Sequence, residues 1–559
     1  MSGFKLLSIR ALDNCSDKYL KILKPNIFYT FYKNYSFSED ANTKNITVEY
    51  SSDFSEEIYE IRGHSSTVDV NVCAIVGKNG SGKSTLLELY YLCMYFIAVN
   101  RDRPFLEPNL KSIKRDLEKL DKGKKDDKSK RLYLESLREE IQDIIAGFKI
   151  QLFYSVDDTI YLYDTSGGSE KELEYDFVRL LEGNKKEKRK FLISSLFEED
   201  SPYDPIGFAY TCVINYSIFG LNSLELGQWV TTLFHKNDAY KTPIVINPMR
   251  TNGDFVIDDE NELLTGRILQ SLAICLKNDQ LKDIGSLLGT YRRPESVIFR
   301  LKKSIGINGL TPKNDGSREL LFFDKSIYTD GEKDFLRFKK HLKEILNVDV
   351  EEVIKNNLLQ RYCMSYSYSK ALRIFNNYPV FRGKKRDKDF LILLWTDRSH
   401  ITLKFRQSIN FIIDSRFEKL KNAFFIDINT DIDLLEIKKE DYKVEVEYSL
   451  PEIKSEFETA EDELASVPPP IFEIDFQFSE SKKDRLNLLS SGESQSAHAM
   501  NAIYYHLRNI DSMNKAQLGF DYKYVNIILD EVELYHHPEI QRTFLQRLLN
   551  GIEALRLKK

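Results

Sequence analysis

The sequence predicts an α/β protein: a sheet-based head with an antiparallel β subdomain, interrupted by a large, mainly helical insertion. Three observations carry this expectation. "AIVGKNGSGKST", Ala74–Thr85, is a bare glycine loop set between an apolar run and the helix-forming "LLELYYL". "YVNIILDE", Tyr524–Glu531, is an apolar strand closing in two acids. Between them, residues from about 255 to 450 place their apolar side chains mostly at helical spacing.

The elements follow in order. The N-terminus, "MSGFKLLSIRAL", reads as a strand with Lys and Arg interspersed. With "NIFYTFY", "NITVEYS" and "EIYEIRG" it makes four β-branched or aromatic pieces separated by Asn, Asp and Ser clusters, a small antiparallel sheet before the glycine loop. "VNVCAIV", Val70–Val76, reads as the strand entering that loop, and Ser84 onward as the helix leaving it. The longest apolar run, Leu86–Val99, contains Glu88, continues this helix and is too short to span a bilayer. Leu110, Ile113, Leu117 and Leu120, then Leu134, Leu137, Ile141 and Ile144, predict a short helical hairpin around "DKGKKDDKSK". "KIQLFYSVDDTIYLYDTSGG" reads as a β-hairpin and "GFAYTCVINYSIFGLNS" as a buried strand running into a loop. "FLILLWT" (Phe390–Thr396) and "AFFIDIN" (Ala423–Asn429) are candidate strands within the helical region. "SVPPP", Ser466–Pro470, marks a boundary, and "IFEIDFQF" after it alternates like an edge strand.

Composition narrows the function. Lys and Arg number 80 against 86 Asp and Glu, a formal net charge of −6, which is not the balance of a protein that coats nucleic acid. Two local basic runs, Asn184–Lys190 and Arg382–Lys388, read as solvated loops or as phosphate-backbone contacts. The six cysteines are scattered, with no C-x-x-C, which points to a reducing cytoplasm and away from a structural zinc.

The glycine loop meets the pattern G-x-x-x-x-G-K-[ST] with Gly77, Gly80, Gly82, Lys83 and Ser84. Glycines let successive backbone N–H groups of Gly77, Asn79, Gly80, Ser81 and Gly82 turn inward as an anion cradle. The helix through Lys83, Ser84 and Thr85 points its positive end at the same anion. Lys83 suits the β- and γ-phosphates of ATP and Ser84 a Mg²⁺ ion. "LLSSGESQSAHAM" places Ser490, Ser491, Gly492 and Glu493 before an amphipathic helix, either an ordinary N-cap or a second anion-ready helix start. Asp530 and Glu531 end an apolar strand, where adjacent carboxylates are costly unless they meet a cation or take a proton. Asp530 suits a Mg²⁺ shell, and Glu531 suits the polarising of an attacking water.

The order of these three motifs resembles the heads of ABC-type ATPases. That resemblance implies an ABC-ATPase head, with a phosphate-loop sheet and an antiparallel β subdomain, carrying a large, mainly helical insertion. Its segments are 1–103 and 148–253 (N-terminal part of the head), 104–147 (helical hairpin), 254–465 (mainly helical insertion with partner or dimer surface) and 466–559 (signature and acid pair). It also implies that Ser490, Ser491, Gly492 and Glu493 close over ATP held by the other subunit of a head-to-tail homodimer or higher oligomer. Lys83 and Ser490 lie 407 residues apart (490 − 83), far more than in a transporter's nucleotide-binding domain. Structural-maintenance and DNA-repair relatives fill that interval with long heptad arms, which this sequence lacks.

The remaining branch comprises bacterial defence ATPases of the overcoming-lysogenization-defect, Septu and retron-associated kinds. Their D-E-P-E and L-H-P-x-x-Q pattern is matched by Asp530, Glu531, Glu533, His537, Pro538 and Gln541, with Val532 and His536 departing from it. Pro243–Leu263 also resembles a stretch of the Septu and retron-associated members. The resemblance implies an ATPase that regulates an HNH-type nuclease subunit in anti-phage defence, with a reverse transcriptase and retron nucleic acid as further partners in retron systems. Alternatives are a DNA-repair ATPase that clamps DNA, a non-hydrolysing ATP-gated scaffold, and a self-contained nuclease. The last needs a Toprim domain with acidic metal ligands, for which residues 531–559 leave no room. Two family features have no clear counterpart. The region of Asn222, Ser223 and Gln228 is where a Q-loop glutamine is expected. The switch histidine is expected after "GIEALRLKK", and His537 does not replace it.

Overall fold

The computed structural model describes residues 3–42, 45–51, 59–62, 67–99, 110–122, 128–156, 159–165, 178–183, 189–193, 209–217, 220–234, 240, 242–279, 284–289, 292–302, 310–312, 318–320, 331–354, 357–378, 381, 386–423, 444–478, 485–513, 522–534 and 536–557. It is a mixed α/β structure with several sheets. The chain divides into two compact units. One comprises residues 1–255 and 520–531 with Lys559, the other 256–519 and 532–558.

In the first unit, the β-branched and aromatic pieces form β1 (Phe4–Ala11), β2 (Tyr29–Thr30), β3 (Tyr35–Glu39) and β4 (Ile46–Tyr50). They do not stand alone: β7 (Ile150–Val156), β8 (Thr159–Asp164), β9 (Val178–Gly183) and β10 (Arg189–Ile193) complete an antiparallel sheet of order β2-β1-β7-β8-β9-β10-β4-β3. A bulge between Leu6 and Ser8 sends Leu7 and Ile9, two residues apart, into different cores. The hairpin β5 (Tyr59–Arg62) and β6 (Thr67–Val70) precedes the glycine loop.

A second sheet holds β11 (Tyr210–Asn215) between β12 (Ile244–Asn247) and β18 (Val525–Asp530), all parallel. α1 (Asp17–Leu20) is a single turn. α2 (Lys83–Val99) is apolar nearly all round and is buried accordingly from Leu86 to Ala98, apart from the half-buried Glu88. Tyr90 fixes it to the parallel sheet: its hydroxyl meets Thr211 Oγ1 at 2.7 Å and accepts from Asn526 Nδ2 at 3.4 Å. The two amphipathic runs form α3 (Leu110–Lys122) and α4 (Lys128–Gly147), whose Ile113, Leu117, Leu134, Leu137, Ile141 and Ile144 join the same core as α2.

The expected strand "VNVCAIV" is not formed. Strand structure stops at Val70, and residues 71–78 have no ladder partner among the described residues. Val72 and Ile75 are exposed and Val76 is 87% exposed. Apolar composition favours burial, but a strand exists only through its ladder hydrogen bonds, and composition does not supply those.

Two short helices, α5 (Ser223–Leu226) and α6 (Trp229–Thr232), stand between β11 and β12 in the first unit; the second begins with α7 (Ile257–Lys277) and α8 (Ile284–Leu288). β13 (Ser296–Leu301) lies between β16 (Val446–Ser449) and β17 (Phe472–Gln477), so "IFEIDFQF" supplies an edge strand as expected. β14 (Leu310–Pro312) pairs β15 (Arg318–Leu320). Helices α9 (Gly331–Leu346), α10 (Val350–Ile354), α11 (Leu358–Asn377), α12 (Lys388–Thr396), α13 (Leu403–Ile413), α14 (Glu418–Asn422), α15 (Leu450–Glu458) and α16 (Glu463–Ser466) fill the interval. "FLILLWT" is therefore helical, not a strand. Asp387 caps α12 by accepting from the Phe390 N–H at 3.3 Å, and Phe390, Leu391 and Leu394 are buried at helical spacing. Phe424–Asn429 of "AFFIDIN" lies outside the described residues, as do 184–188 and 382–385 of the basic runs. α17 (Ser491–Asp511) and α18 (Pro538–Ala554) complete the unit. Gly289, at φ +69°, lets the turn after α8 approach α17: a Cβ there would lie 2.7 Å from Ala497 Cα.

Candidate functional site

The glycine loop is an exposed turn that delivers the chain into α2. Gly80 and Gly82 have φ of +75° and +94°, which other residues adopt at a cost. A Cβ on Gly82 would lie 2.7 Å from Leu23 Cδ2, so its bareness also admits the segment after α1. A Cβ on Gly77 would lie 2.5 Å from Ser81 Oγ. Asn79, Ser81 and Ser84 are exposed, and Thr85 turns into the core. The Lys83 ammonium donates to the carbonyls of Gly77 at 2.7 Å and Lys78 at 3.2 Å. Engaging phosphates requires it to exchange those two carbonyls.

The acid pair lies in the same unit. Parallel pairing sets Asn215 beside Asp530 at the C-terminal ends of β11 and β18. Asn215 Nδ2 donates to Asp530 Oδ2 at 2.8 Å, fixing the carboxylate. Asn215 is itself held: its Oδ1 accepts from the Ser217 N–H at 2.9 Å and from Arg250 at 3.3 Å. Arg250, 3% exposed, also donates to Asn215 O at 2.7 Å and to Gly220 O and Gly253 O, both at 3.1 Å, and lies over Phe255. Burial lowers its pKa, yet three backbone carbonyls compensate the guanidinium. Tyr91, on the helix that follows the glycine loop, is fully buried; its pKa is raised well above the usual value, first by burial and then by the charge of Asp530. The loop helix and the acid strand meet where Asn526 Nδ2 donates to the Tyr90 hydroxyl at 3.4 Å. Glu531 follows in the left-handed region, φ +51°.

Ser490, Ser491, Gly492 and Glu493 begin α17 in the second unit. Ser490 is an N-cap, and with Glu493 it forms a reciprocal capping box: the Glu493 N–H donates to Ser490 Oγ, and the Ser490 N–H donates to Glu493. Glu493 also pairs with Arg292 at 3.3 Å. Gly492 is buried. The ordinary helix-start reading of this stretch is what the geometry realises. The H-P-x-x-Q run has a similar local cause. His537 caps α18 through Nδ1, Pro538 takes its first turn, and Gln541 donates back to His536 O at 3.2 Å.

The helix α17 also carries His498, 7% exposed, which meets Asn261 Oδ1 at 3.0 Å. Burial, aided by Arg267, lowers its pKa to about 4. A folded-state pKa below the unfolded 6.5 means that the unfolded chain takes up the proton first as pH falls. Stability is therefore full above 6.5 and is lost toward 4, by about 2 kcal/mol at pH 5. Urea unfolding at pH 7 and pH 5 checks this: wild type is expected to lose midpoint at pH 5, and His498→Gln to lose markedly less.

Asn215 and Arg250 are the site residues that sequence reasoning missed. The available signal was an amide ending the apolar strand "TCVIN". In the expected Q-loop region, Asn222 caps α5 and Gln228 stands at the start of α6. Among the described residues no three His, Cys, Asp or Glu side chains gather to hold a metal, so a divalent ion here would rely on Asp530, Ser84 and a ligand's own oxygens. The glycine loop, the start of α2 and the Asp530 carboxylate held by Asn215 lie in one compact unit. No helix among the described residues is long and apolar enough to cross a membrane. No family model, curated protein or solved structure matches the chain.

Proposed function

We propose that this chain is an ATP-binding and ATP-hydrolysing head of the ABC type, cytoplasmic, that pairs head to tail with a second copy and regulates a partner nuclease in anti-phage defence. The observation that carries the reading is one compact unit in which a Gly77–Ser84 phosphate loop opens a buried helix and a carboxylate pair ends the strand beside it. The partner class, an HNH-type nuclease with a reverse transcriptase and its nucleic acid in retron systems, rests on the motif resemblance.

In this reading Lys83 leaves the Gly77 and Lys78 carbonyls for the β- and γ-phosphates. Ser84 and Asp530 hold the metal, with Asn215 and Arg250 keeping Asp530 in place. Glu531 takes the proton of the attacking water. Bound Mg²⁺–ATP supplies the phosphoanhydride that is cleaved. Ser490 and Gly492 of one copy face the nucleotide of the other. Titration of a labelled ATP analogue with Mg²⁺ tests the reading: saturable binding is expected, and none at millimolar analogue overturns it. Co-purification with the product of an adjacent HNH gene tests the partner.

A further inference from the structure

The insertion carries a charge cluster that ATP chemistry does not use. Tyr366, Lys370 and Arg373 fall at i, i+4 and i+7 on α11, one face of the helix. Lys370 is half-buried, its Nζ 5.0 Å from the Tyr366 ring centroid. Lys404, in the first turn of α13, and Lys302, just beyond β13, bring two more cations whose fields reach Lys370. Lys302 is neutralised, donating to Glu262 Oε1 at 2.5 Å and Pro470 O at 2.9 Å. Lys370, Arg373 and Lys404 have no ion pair among the described residues.

Holding an ammonium partly out of water beside two unpaired cations, Arg373 and Lys404, is costly unless an anion joins it. Burial first, then Lys404, Arg373 and Lys302, depress the Lys370 pKa to about 7. Arg373 and Lys404 are exposed, so the cluster is an open surface rather than an enclosed cavity. An open surface of this kind suits an anionic polymer lying across it better than a small molecule, which needs enclosure. With a chain net charge of −6, attraction for such a polymer has to be local.

We propose that Lys370, Arg373 and Lys404, supported by Lys302, form a binding site for the phosphodiester backbone of a nucleic acid strand. The contacts are to phosphates, so binding is sequence-independent and salt-dependent. Lys370 has to be protonated to serve. It faces Tyr366 and Arg373 on its own helix, Lys404 from α13, and Lys302 from the end of β13 with Glu262 of α7. Binding is therefore expected to be stronger at pH 6 than at pH 8.

The test uses the full chain and a fluorescein-labelled 30-nucleotide single strand and 30-base-pair duplex, read by anisotropy across a salt series. Wild type is expected to bind at least one probe. Arg373→Ala/Lys404→Ala should bind it at least tenfold more weakly, with a salt slope shallower by about 2. Lys370→Met should weaken binding and remove its dependence on pH between 6 and 8. Its thermal midpoint should hold or rise, because an unpaired half-buried charge is gone; a structural lysine would show the opposite. Lys83→Ala should bind the probe as wild type does, which separates this site from the ATP loop. Absence of probe binding at low salt overturns the proposal, as does unchanged affinity in the double variant. So does competition by free ATP or pyrophosphate with an affinity equal to the probe's, which would make the cluster a small-phosphate site.

Discussion

Lys83→Ala is expected to abolish ATP binding while the fold survives. The ammonium has no role in the core: its two hydrogen bonds are to carbonyls of its own exposed loop. What holds α2 in place is the apolar surface from Leu86 to Ala98 and the Tyr90–Thr211 contact, all untouched by the change. Each hydrogen bond from a charged donor to phosphate contributes about 1.5–3 kcal/mol, so losing two weakens binding on the order of 100-fold or more. Titration of a labelled ATP analogue reads the loss, and circular dichroism through thermal unfolding reads the fold. Equal affinity in mutant and wild type contradicts the phosphate-loop assignment.

Glu531→Gln is expected to stop phosphate release without stopping ATP binding. Glutamine keeps the shape of the side chain and accepts the same φ of +51° at no greater cost than glutamate, but it cannot take a proton. General-base loss lowers turnover by about 10²–10⁴-fold. Asp530→Asn provides the contrast. Asn215 Nδ2 can still donate to an amide oxygen there, so local structure holds while the negative charge proposed to face Mg²⁺ is lost. That variant should need far more Mg²⁺ for the same nucleotide occupancy, whereas Glu531→Gln should need no more than wild type. Phosphate release by Glu531→Gln at the wild-type rate removes Glu531 from the role given to it.

Much of this was legible in the sequence where one local signal decides the structure. β18 and its acid ending, the helix after the glycine loop, the α3–α4 hairpin and the β7–β8 hairpin each rest on periodicity or turn chemistry within a few residues. The failures have a common cause. "FLILLWT" is a continuous apolar run that fits a buried strand or a buried helix equally, and the Asp387 cap settles it as helix. "VNVCAIV" has the composition of a central strand, yet a ladder needs a partner edge that composition cannot name. The Arg250–Asn215–Asp530 chain was hidden for the same reason: Asn215 and Asp530 are 315 positions apart and meet only because β11 and β18 pair in parallel. At Ser490, the helix-start signal was read correctly, because a cap and its N3 partner are three residues apart, whereas the proposed use by a second copy concerns an assembly that lies outside one chain's local pattern.

The central claim is that ATP joins two heads through Ser490 and Gly492. Its most direct test is the solution mass of Glu531→Gln, by multi-angle light scattering, with and without saturating ATP and Mg²⁺. The account predicts that nucleotide raises the mass from the chain's 65.3 kDa, or from whatever assembly it starts as, by pairing of copies, and that Gly492→Asp abolishes the rise while leaving ATP binding intact. A mass that stays the same while labelled ATP is demonstrably bound would contradict it.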